Sequence, residues 1–253
     1  MRQLPILLLF LSLSGNLFSQ NSERFNQATE AYNNGDYQEA VSHYMEILES
    51  GQHSAALYYN LGNAHYKQNH IASSIYYYEK ALLLSPDDAE IKNNLAFAQN
   101  MTLDAIDTLP ETGWSRFYKK ITGLFTFDQW AVGGIVFMAL FALLFILFGY
   151  SQYSSRKRKA FIASLIALFL AVASLAFAYL EHNAFMAKQP AIVFAEEIDV
   201  RSEPNENGTV IFQLHEGTKV NLLETLNDWK RIKLTDGKTG WLPSASVKAL
   251  KDF

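Results

Sequence analysis

The sequence predicts a multidomain membrane protein with an all-α repeat module, two transmembrane helices and a small C-terminal all-β barrel. A turn motif at Gly35 recurs at Asn69, and short β-rich runs separated by turns begin at Pro190. Apolar residues are concentrated in three blocks: 4–13, 130–149 and 160–180. In a chain of 253 residues, this uneven distribution favours several small modules around a membrane unit over one large domain.

Composition excludes several classes of protein. The formal net charge is −4 and no basic stretch is long enough to bind a polyanion, so nucleic acid is not an expected partner. The chain has no Cys, which excludes a disulfide framework, a thiolate nucleophile, a thiol-ligated metal and a lipid-anchored N-terminal Cys.

Residues 1–19 have the layout of a signal peptide. A basic residue precedes the apolar run 4–13, and small and polar residues follow it. The run is too short to cross a hydrocarbon core of roughly 30 Å, so we expect export and cleavage after Ser19. An uncleaved anchor stays open as an alternative, because Leu17 and Phe18 are bulky for a cleavage site.

Segments 129–150 and 160–181 are predicted to span the membrane, because residues 130–149 and 160–180 carry no charge and aromatic residues lie near the ends. The alternative is a pair of core helices in a soluble protein. The short segment 151–159 between them is predicted to be a cytoplasmic loop, because basic residues in short loops mark the cytoplasmic side. The basic residues are Arg156, Lys157, Arg158 and Lys159. Both flanking modules are therefore expected in the periplasm, on the outer face of the bacterial inner membrane.

Residues 111–128 are predicted to form an amphipathic helix in the membrane interface. Arg116, Lys119 and Lys120 lie off its apolar face. That face consists of Trp114, Phe117, Tyr118, Ile121, Leu124 and Phe125. A core helix unrelated to the membrane is the alternative.

Residues 20–110 resemble the tetratricopeptide-repeat (TPR) family, whose helix-turn-helix unit repeats with the same spacing as the turns at Gly35 and Asn69. The second copy matches the signature at Tyr58, Leu61, Gly62, Tyr66, Ser74, Tyr78, Ala81 and Pro86. The first copy is weaker, and residues 89–101 begin a third copy that is interpreted as a capping helix. The expected module is an all-α TPR solenoid of two repeats plus that helix.

The TPR resemblance implies a concave groove that binds a peptide or helix of a partner protein. The groove positions carried over from the family are Phe25, Thr29, Tyr32, Asn63, Tyr66, Lys67, Asn93 and Phe97. Only Asn63 fits the family's charge clamp for a C-terminal carboxylate, which argues against a receptor for chaperone tails. Helix packing is the alternative role for each of these residues.

Residues 188–253 are predicted to form a β-rich module with five strands. The strands are expected at 192–195, 210–214, 219–224, 229–234 and 239–243. The segment 199–202, Pro204, Gly217, Trp229 and the run from Asp236 to Trp241 resemble the bacterial SH3 family. The resemblance implies an SH3-like barrel that binds cell-wall peptides or proteins. Trp229 and Trp241 are the candidate ligand-binding residues, with barrel core as the alternative for both.

The sequence contains only weak matches to catalytic, nucleotide-binding or metal-binding motifs. The segment 237–239 ends like a phosphate-binding loop but lacks the first Gly of that motif. The six His residues are scattered without a carboxylate at ligand spacing, so no metal site is expected. We expect no catalytic residues and no cofactor.

The order of these modules resembles the BatE-like family of Bacteroides-type aerotolerance operons. That resemblance implies a non-catalytic scaffold or adaptor in a stress-related envelope complex. Its expected partners are other envelope proteins, namely membrane proteins with von Willebrand factor A-type domains and a MoxR-type ATPase system. The alternative function is a sensor or tether for peptidoglycan peptides that acts through the SH3-like module.

Overall fold

The computed structural model describes residues 20–104, 106 and 113–251, so the predicted signal peptide at 1–19 lies outside the described residues. The helices are α1 (20–34), α2 (Tyr37–Glu49), α3 (Ala55–Lys67), α4 (Ile71–Leu84), α5 (Ala89–Gln99), α6 (Gly113–Thr122), α7 (Phe127–Tyr150) and α8 (Ser154–Ala187). The strands are β1 (Pro190–Val193), β2 (Glu197–Arg201), β3 (Val210–His215), β4 (Lys219–Leu226), β5 (Trp229–Lys233), β6 (Thr239–Pro243) and β7 (Val247–Ala249).

The chain forms two compact units. Of the described residues, the first unit combines 20–104 and 106 with 189–251, and the second consists of 113–188. We call the helices α1 to α5 of the first unit the repeat module, and its strands β1 to β7 the β module.

The repeat module shows the predicted repeat period in its backbone. Gly35 ends the turn after α1 with φ of 90°, and Asn69 takes the equivalent position after α3 with φ of 61°. The Gly35 N–H donates to the Tyr32 carbonyl oxygen and the Asn69 N–H donates to that of Tyr66. Gly and Asn are the residues that most readily adopt this left-handed conformation, which explains why they occupy these two turns.

Large aromatic side chains form the core of the repeat module. Tyr44, Tyr58 and Tyr78 are almost fully buried. A Cβ atom added at Gly62 would lie 2.5 Å from the Tyr78 ring, so α3 and α4 approach each other at the glycine of the TPR signature. Asp88 caps α5 by accepting hydrogen bonds from the N–H groups of Glu90 and Ile91.

The β module is one antiparallel sheet with strand order β3-β2-β6-β5-β4-β1-β7. The sheet is consistent with the predicted SH3-like fold, but among the described residues it is not closed into a barrel, because β3 and β7 are edges and no described strand joins them. Strands β2 and β7 were not predicted. Strand β2 buries only Val200, and β7 has only three residues, so neither produces a strong apolar pattern.

The two modules of the first unit share a core. Ile192 of β1 and Leu250 after β7 are fully buried in one cluster with Ile75 and Tyr76 of α4. The ring centroids of Tyr76 and Phe194 lie 5.6 Å apart with their planes at 74°. The repeat and β modules therefore pack directly against each other, although residues 109–188 separate them in the chain.

The second unit consists of α6, α7 and α8. The bounds of its helices differ from the predicted segments, and α8 continues to Ala187, beyond the predicted end of the second span at 181. The interfacial helix predicted at 111–128 ends at Thr122, since Thr126 and Gln129 form a capping box that starts α7. The loop predicted at 151–159 is also shorter, because α8 begins at Ser154 and includes the basic residues 156–159, which are good helix formers.

Small residues form the contact between α7 and α8. Gly134 of α7 faces Ala171 and Leu175 of α8, and a Cβ atom added at Gly134 would lie 2.7 Å from the Leu175 side chain. The residues that α8 buries are also small: Ser164, Ala167, Ala171 and Ser174. Their size lets the two helix backbones approach closely, and it leaves the large apolar side chains on the outside of the pair.

Candidate functional site

An aromatic cavity of about 410 Å³ opens on the repeat module. Helices α1, α3, α4 and α5 all contribute to its wall. The lining residues are Tyr32, Tyr59, Asn63, Tyr66, Lys67, Tyr78, Glu90, Asn94 and Phe97. We call this cavity the repeat groove.

A hydrogen-bond network fixes the floor of the repeat groove. The Tyr78 hydroxyl and the Asn94 side-chain amide both donate to Asn63 Oδ1, over 2.6 and 3.0 Å. The same amide donates to the Tyr59 hydroxyl over 2.8 Å, and that hydroxyl donates to Glu90 Oε1 over 2.6 Å. These bonds hold three helices in register, so the floor is preorganised before a ligand binds.

Tyr59 and Tyr78 of the groove floor remain neutral donors. Burial, together with the hydrogen bond to the Glu90 carboxylate, raises the pKa of Tyr59 to about 12. Burial also raises the pKa of Tyr78 far above its ordinary value. The floor therefore carries no phenolate at any physiological pH.

The rim of the groove presents apolar and charged groups to solvent. Phe97 of α5 is 60% exposed although it is a large aromatic residue. Lys67 and Glu90 are also exposed and place one charge of each sign at the opening. The arrangement fits an extended or helical peptide with apolar anchors.

Five of the predicted groove residues meet in this cavity, and three do not. Tyr32, Asn63, Tyr66, Lys67 and Phe97 line it. Phe25 instead packs edge-on against Tyr44, and the Thr29 hydroxyl lies 3.1 Å from the Tyr44 hydroxyl. Asn93 is exposed, and its neighbour Asn94 takes the groove position.

The sequence prediction missed four lining residues of the repeat groove: Tyr59, Tyr78, Glu90 and Asn94. Tyr78 was predicted only as a residue of the TPR signature, and its hydroxyl end reaches the groove. The prediction selected Asn93, but it is the next residue, Asn94, whose side chain contacts Asn63 in the groove. Tyr59 could have been predicted from the sequence, because it lies four residues before Asn63 on α3 and residues three or four apart share a helix face.

A second cavity, of about 550 Å³, lies on the β module. We call it the β-module groove. It is lined by Glu197, Ile198, Asp199, Arg201, Glu206, Gln213, Trp229 and Pro243. Arg201 is tied into the wall, since it donates to the carbonyl oxygens of Glu206 and Gly208 and pairs with Asp199. Because Arg201 offsets the charge of Asp199, Glu197 and Glu206 are the carboxylates of the lining that favour a ligand with an amine.

Of the two predicted tryptophans, only Trp229 lines this groove. Trp241 pairs across the sheet with Arg201 and Arg231 and is half-buried there. Trp229 is also half-buried, so neither belongs to the fully buried core of the sheet.

Polar contacts join the two modules beside their shared core. Asp104 follows α5, and its Oδ2 accepts from the His215 N–H over 2.7 Å and from the Thr218 hydroxyl. His215 Nδ1 lies 2.8 Å from Asp104 Oδ1. Lys219 Nζ lies 2.6 Å from Oε2 of Glu79, which is buried on α4.

These contacts move the pKa of both partners. Burial alone would raise the pKa of Asp104, but the hydrogen bonds from Thr218 and His215 hold it below its ordinary value. The hydrogen bond to Asp104 raises the pKa of His215. Each shift favours the charged form of its group, the carboxylate of Asp104 and the imidazolium of His215.

Nothing in the described ranges points to a metal centre. Within residues 20–104, 106 and 113–251, no group of three or more His, Asp or Glu side chains is arranged to hold a metal ion. The basic residues 156–159 lie in the first turns of α8, where Arg156 stacks on Tyr153 and Lys157 on Phe148.

Comparison with known proteins identifies both modules. Residues 25–90 match the family model described as tetratricopeptide repeat, and residues 196–248 match the one described as bacterial SH3 domain. No curated protein matches the chain significantly. Both domain types are interaction modules that are typically non-catalytic. The chain therefore combines tetratricopeptide repeats with a bacterial SH3 domain.

Proposed function

We propose that this protein is a membrane-anchored, non-catalytic scaffold that binds a partner protein in its repeat groove. The observation that carries the proposal is the open cavity lined by aromatic side chains over a floor fixed by hydrogen bonds. A preorganised floor reduces the entropy lost on binding, and an exposed aromatic such as Phe97 supplies apolar contact area. The expected ligand is a peptide or helix of an envelope protein.

Membrane anchoring through α7 and α8 is supported by their length and composition. Both helices are long and apolar enough to cross a bilayer, and few of their residues are buried against protein. A core helix of a soluble protein would instead be covered on most sides. The outward-facing large apolar side chains thus favour lipid as their surroundings.

An orientation with both modules in the periplasm is supported by two observations. The basic residues 156–159 lie at the tip of the hairpin, which favours a cytoplasmic tip. The contacts of Asp104 with His215 also favour an arrangement with the repeat and β modules on the same side of the membrane. A chain that crosses the membrane twice, through α7 and α8, has this arrangement.

The physiological role follows only from the BatE-like resemblance of the module order. On that basis we propose a place in an aerotolerance or stress-related complex of the bacterial inner membrane. Its partners would be membrane proteins with von Willebrand factor A-type domains and a MoxR-type ATPase system.

Single cysteines test the orientation, and the absence of native Cys makes the labelling specific. Asn33, Ser155 and Asn207 are all exposed and lie on the repeat module, the hairpin tip and the β module. With an impermeant maleimide on spheroplasts, Asn33→Cys and Asn207→Cys should react and Ser155→Cys should not. Labelling of Ser155→Cys in intact spheroplasts would reverse the proposed orientation.

A matched pair of variants tests the repeat groove. Phe97→Ala removes an exposed groove residue, so its effect on the free energy of unfolding should stay within about 0.5 kcal/mol. Leu84→Ala is the control, since Leu84 is also exposed on the repeat module but does not line the groove. Crosslinking of the full chain in its native membrane should lose its partners in Phe97→Ala alone. Unchanged partners in both variants would contradict the proposal.

The second candidate function is binding of peptidoglycan peptides in the β-module groove. It is favoured by Trp229 in the same groove as Glu197 and Glu206, which suits a peptide with a free amine. Co-sedimentation of the full chain in detergent with purified peptidoglycan tests it. Trp229→Ala should abolish binding, whereas Trp241→Ala should retain it because Trp241 does not line the groove. Equal binding by the wild-type protein and Trp229→Ala would contradict this candidate.

A further inference from the structure

Helix α6 separates apolar from basic residues along its length. Helical spacing places Phe117, Tyr118 and Ile121 on one face, with Arg116 and Lys120 off that face. Phe117 is 55% exposed and Tyr118 is 36% exposed, so protein does not bury the apolar face. With Lys119, the sequence of the helix carries three positive charges and no acidic residue, in a chain whose net charge is −4.

The C-terminal end of α6 is fixed to the start of α7. The Trp130 indole N–H donates to the Thr122 carbonyl oxygen over 2.9 Å, and Thr122 is buried. The Trp130 ring contacts Phe125 and Phe177, each at a centroid distance of 5.0 Å. Trp and other aromatic residues concentrate at the ends of membrane spans, where one side of the ring is apolar and the other is wet. These contacts fix the end of α6 to the first turn of α7.

We propose that α6 lies on the periplasmic surface of the bilayer and binds anionic lipid headgroups through its basic residues, above all Arg116 and Lys120. Its apolar face enters the boundary between headgroups and acyl chains. The inference rests on the membrane insertion of α7 and α8 proposed above.

Two physical arguments select an anionic bilayer as the occupant of this face. The first is charge complementarity, because a purely cationic helix beside a membrane is attracted to phosphate headgroups. The second is continuity with α7, which leaves the apolar face beside the lipid that surrounds the span. A helix of 10 residues is also marginal in water by itself, so contact with the interface stabilises it.

The experiment uses the full chain, reconstituted into vesicles of stated composition. One set contains phosphatidylcholine alone, and in the other phosphatidylglycerol replaces a quarter of it. A single cysteine at Phe117→Cys carries an environment-sensitive fluorophore, and lipids with a nitroxide near the headgroup act as quenchers. We expect blue-shifted emission and strong quenching at this position in the anionic vesicles. Both effects should weaken in high salt, because salt screens the attraction to the headgroups.

Labels at two control positions are needed to interpret the fluorescence at Phe117→Cys. Leu143→Cys in the middle of α7 reports insertion of the hairpin, and its label should be quenched by acyl-chain nitroxides in both lipid mixtures. Arg116→Cys lies off the apolar face, so its label should stay more aqueous than the one at Phe117→Cys. Replacing all three basic residues by Gln in Phe117→Cys should abolish the difference between the two lipid mixtures.

The possible outcomes separate the inference from the anchoring proposal. An aqueous label at Phe117→Cys with an inserted Leu143→Cys would overturn the inference and leave the anchoring intact. Aqueous labels at both positions would overturn the two together. Deep but identical insertion in both lipid mixtures would overturn the headgroup assignment, and binding of α6 to a protein partner would become the alternative.

Discussion

Gly217 lies at a close contact between the repeat and β modules. It lies in the turn between β3 and β4 with φ of 83°, and a Cβ atom added there would lie 2.7 Å from the Thr102 side chain and 3.0 Å from that of Ile75. Gly51 provides a matched control, because its φ is 81° and nothing lies within 4 Å of an added Cβ atom. Gly217→Ala therefore combines backbone strain with crowding at the interface, whereas Gly51→Ala has the strain alone.

The two costs can be assigned separately. An L-residue in the left-handed region costs about 1 to 2 kcal/mol, and overpacking a well-filled core costs about 1 to 3 kcal/mol. Gly51→Ala should therefore lower the free energy of unfolding by about 1.5 kcal/mol and Gly217→Ala by about 3.5 kcal/mol. For a unit of this size, these values correspond to decreases in Tm of about 4 °C and about 10 °C.

The assay is thermal unfolding of the full chain in detergent, followed by circular dichroism and by hydrogen exchange of the α4 amides. Exchange in α4 should accelerate in Gly217→Ala, because Ile75 belongs to that helix, and should change little in Gly51→Ala. Equal decreases in Tm, with α4 protected equally in both variants, would refute a tight contact between the modules.

The remaining predictions concern pH. The pKa of Asp104 is lowered, so its contribution to stability is full above pH 3.8 and is lost as pH falls through the pKa of the folded state. The pKa of His215 is raised, so its contribution is full below pH 6.5 and is lost as pH rises through the pKa of the folded state. Asp104→Asn should thus lower Tm most between these two pH values and less at higher pH, and a constant decrease in Tm would contradict the pairing. His65 behaves oppositely: burial and the neighbouring His70 and Lys248 lower its pKa to about 4, so the folded state loses stability as pH falls from 6.5. His65→Phe keeps the stacking on Tyr77 and should resist acid better than the wild-type protein in Tm measurements from pH 6.5 downward; equal acid sensitivity would show that His65 is not the titrating group.

Local features of the chain could be predicted from the sequence because neighbouring residues determine them. The turns at Gly35 and Asn69 require a left-handed backbone, so their spacing directly reports the repeat period. The absence of charge after Asp128 in α7 and over the centre of α8 likewise indicates long apolar helices. The fivefold alternation of β-rich runs and turns after Pro190 identified most of the sheet for the same reason.

The ends of elements were less predictable where two local preferences compete. Arg156 to Lys159 carry charges typical of a loop between spans, yet they are good helix formers, and α8 extends through them. Position 94 rather than 93 faces the repeat groove because a shift of one residue rotates a side chain by about 100° around a helix. The packing of α5 on α4 decides that rotation, and the packing depends on both helices.

Contacts between the repeat module and the β module, which lie on either side of the hairpin in the chain, could not be predicted from the sequence. Asp104 and His215 are 111 residues apart, and Glu79 and Lys219 are 140 apart. By itself, the sequence determined two interaction modules and an apolar hairpin, since each depends on patterns within a few dozen residues. Only the tertiary structure decided that the modules share a core around Ile75 and Ile192, because burial there depends on surfaces that meet after both modules have folded.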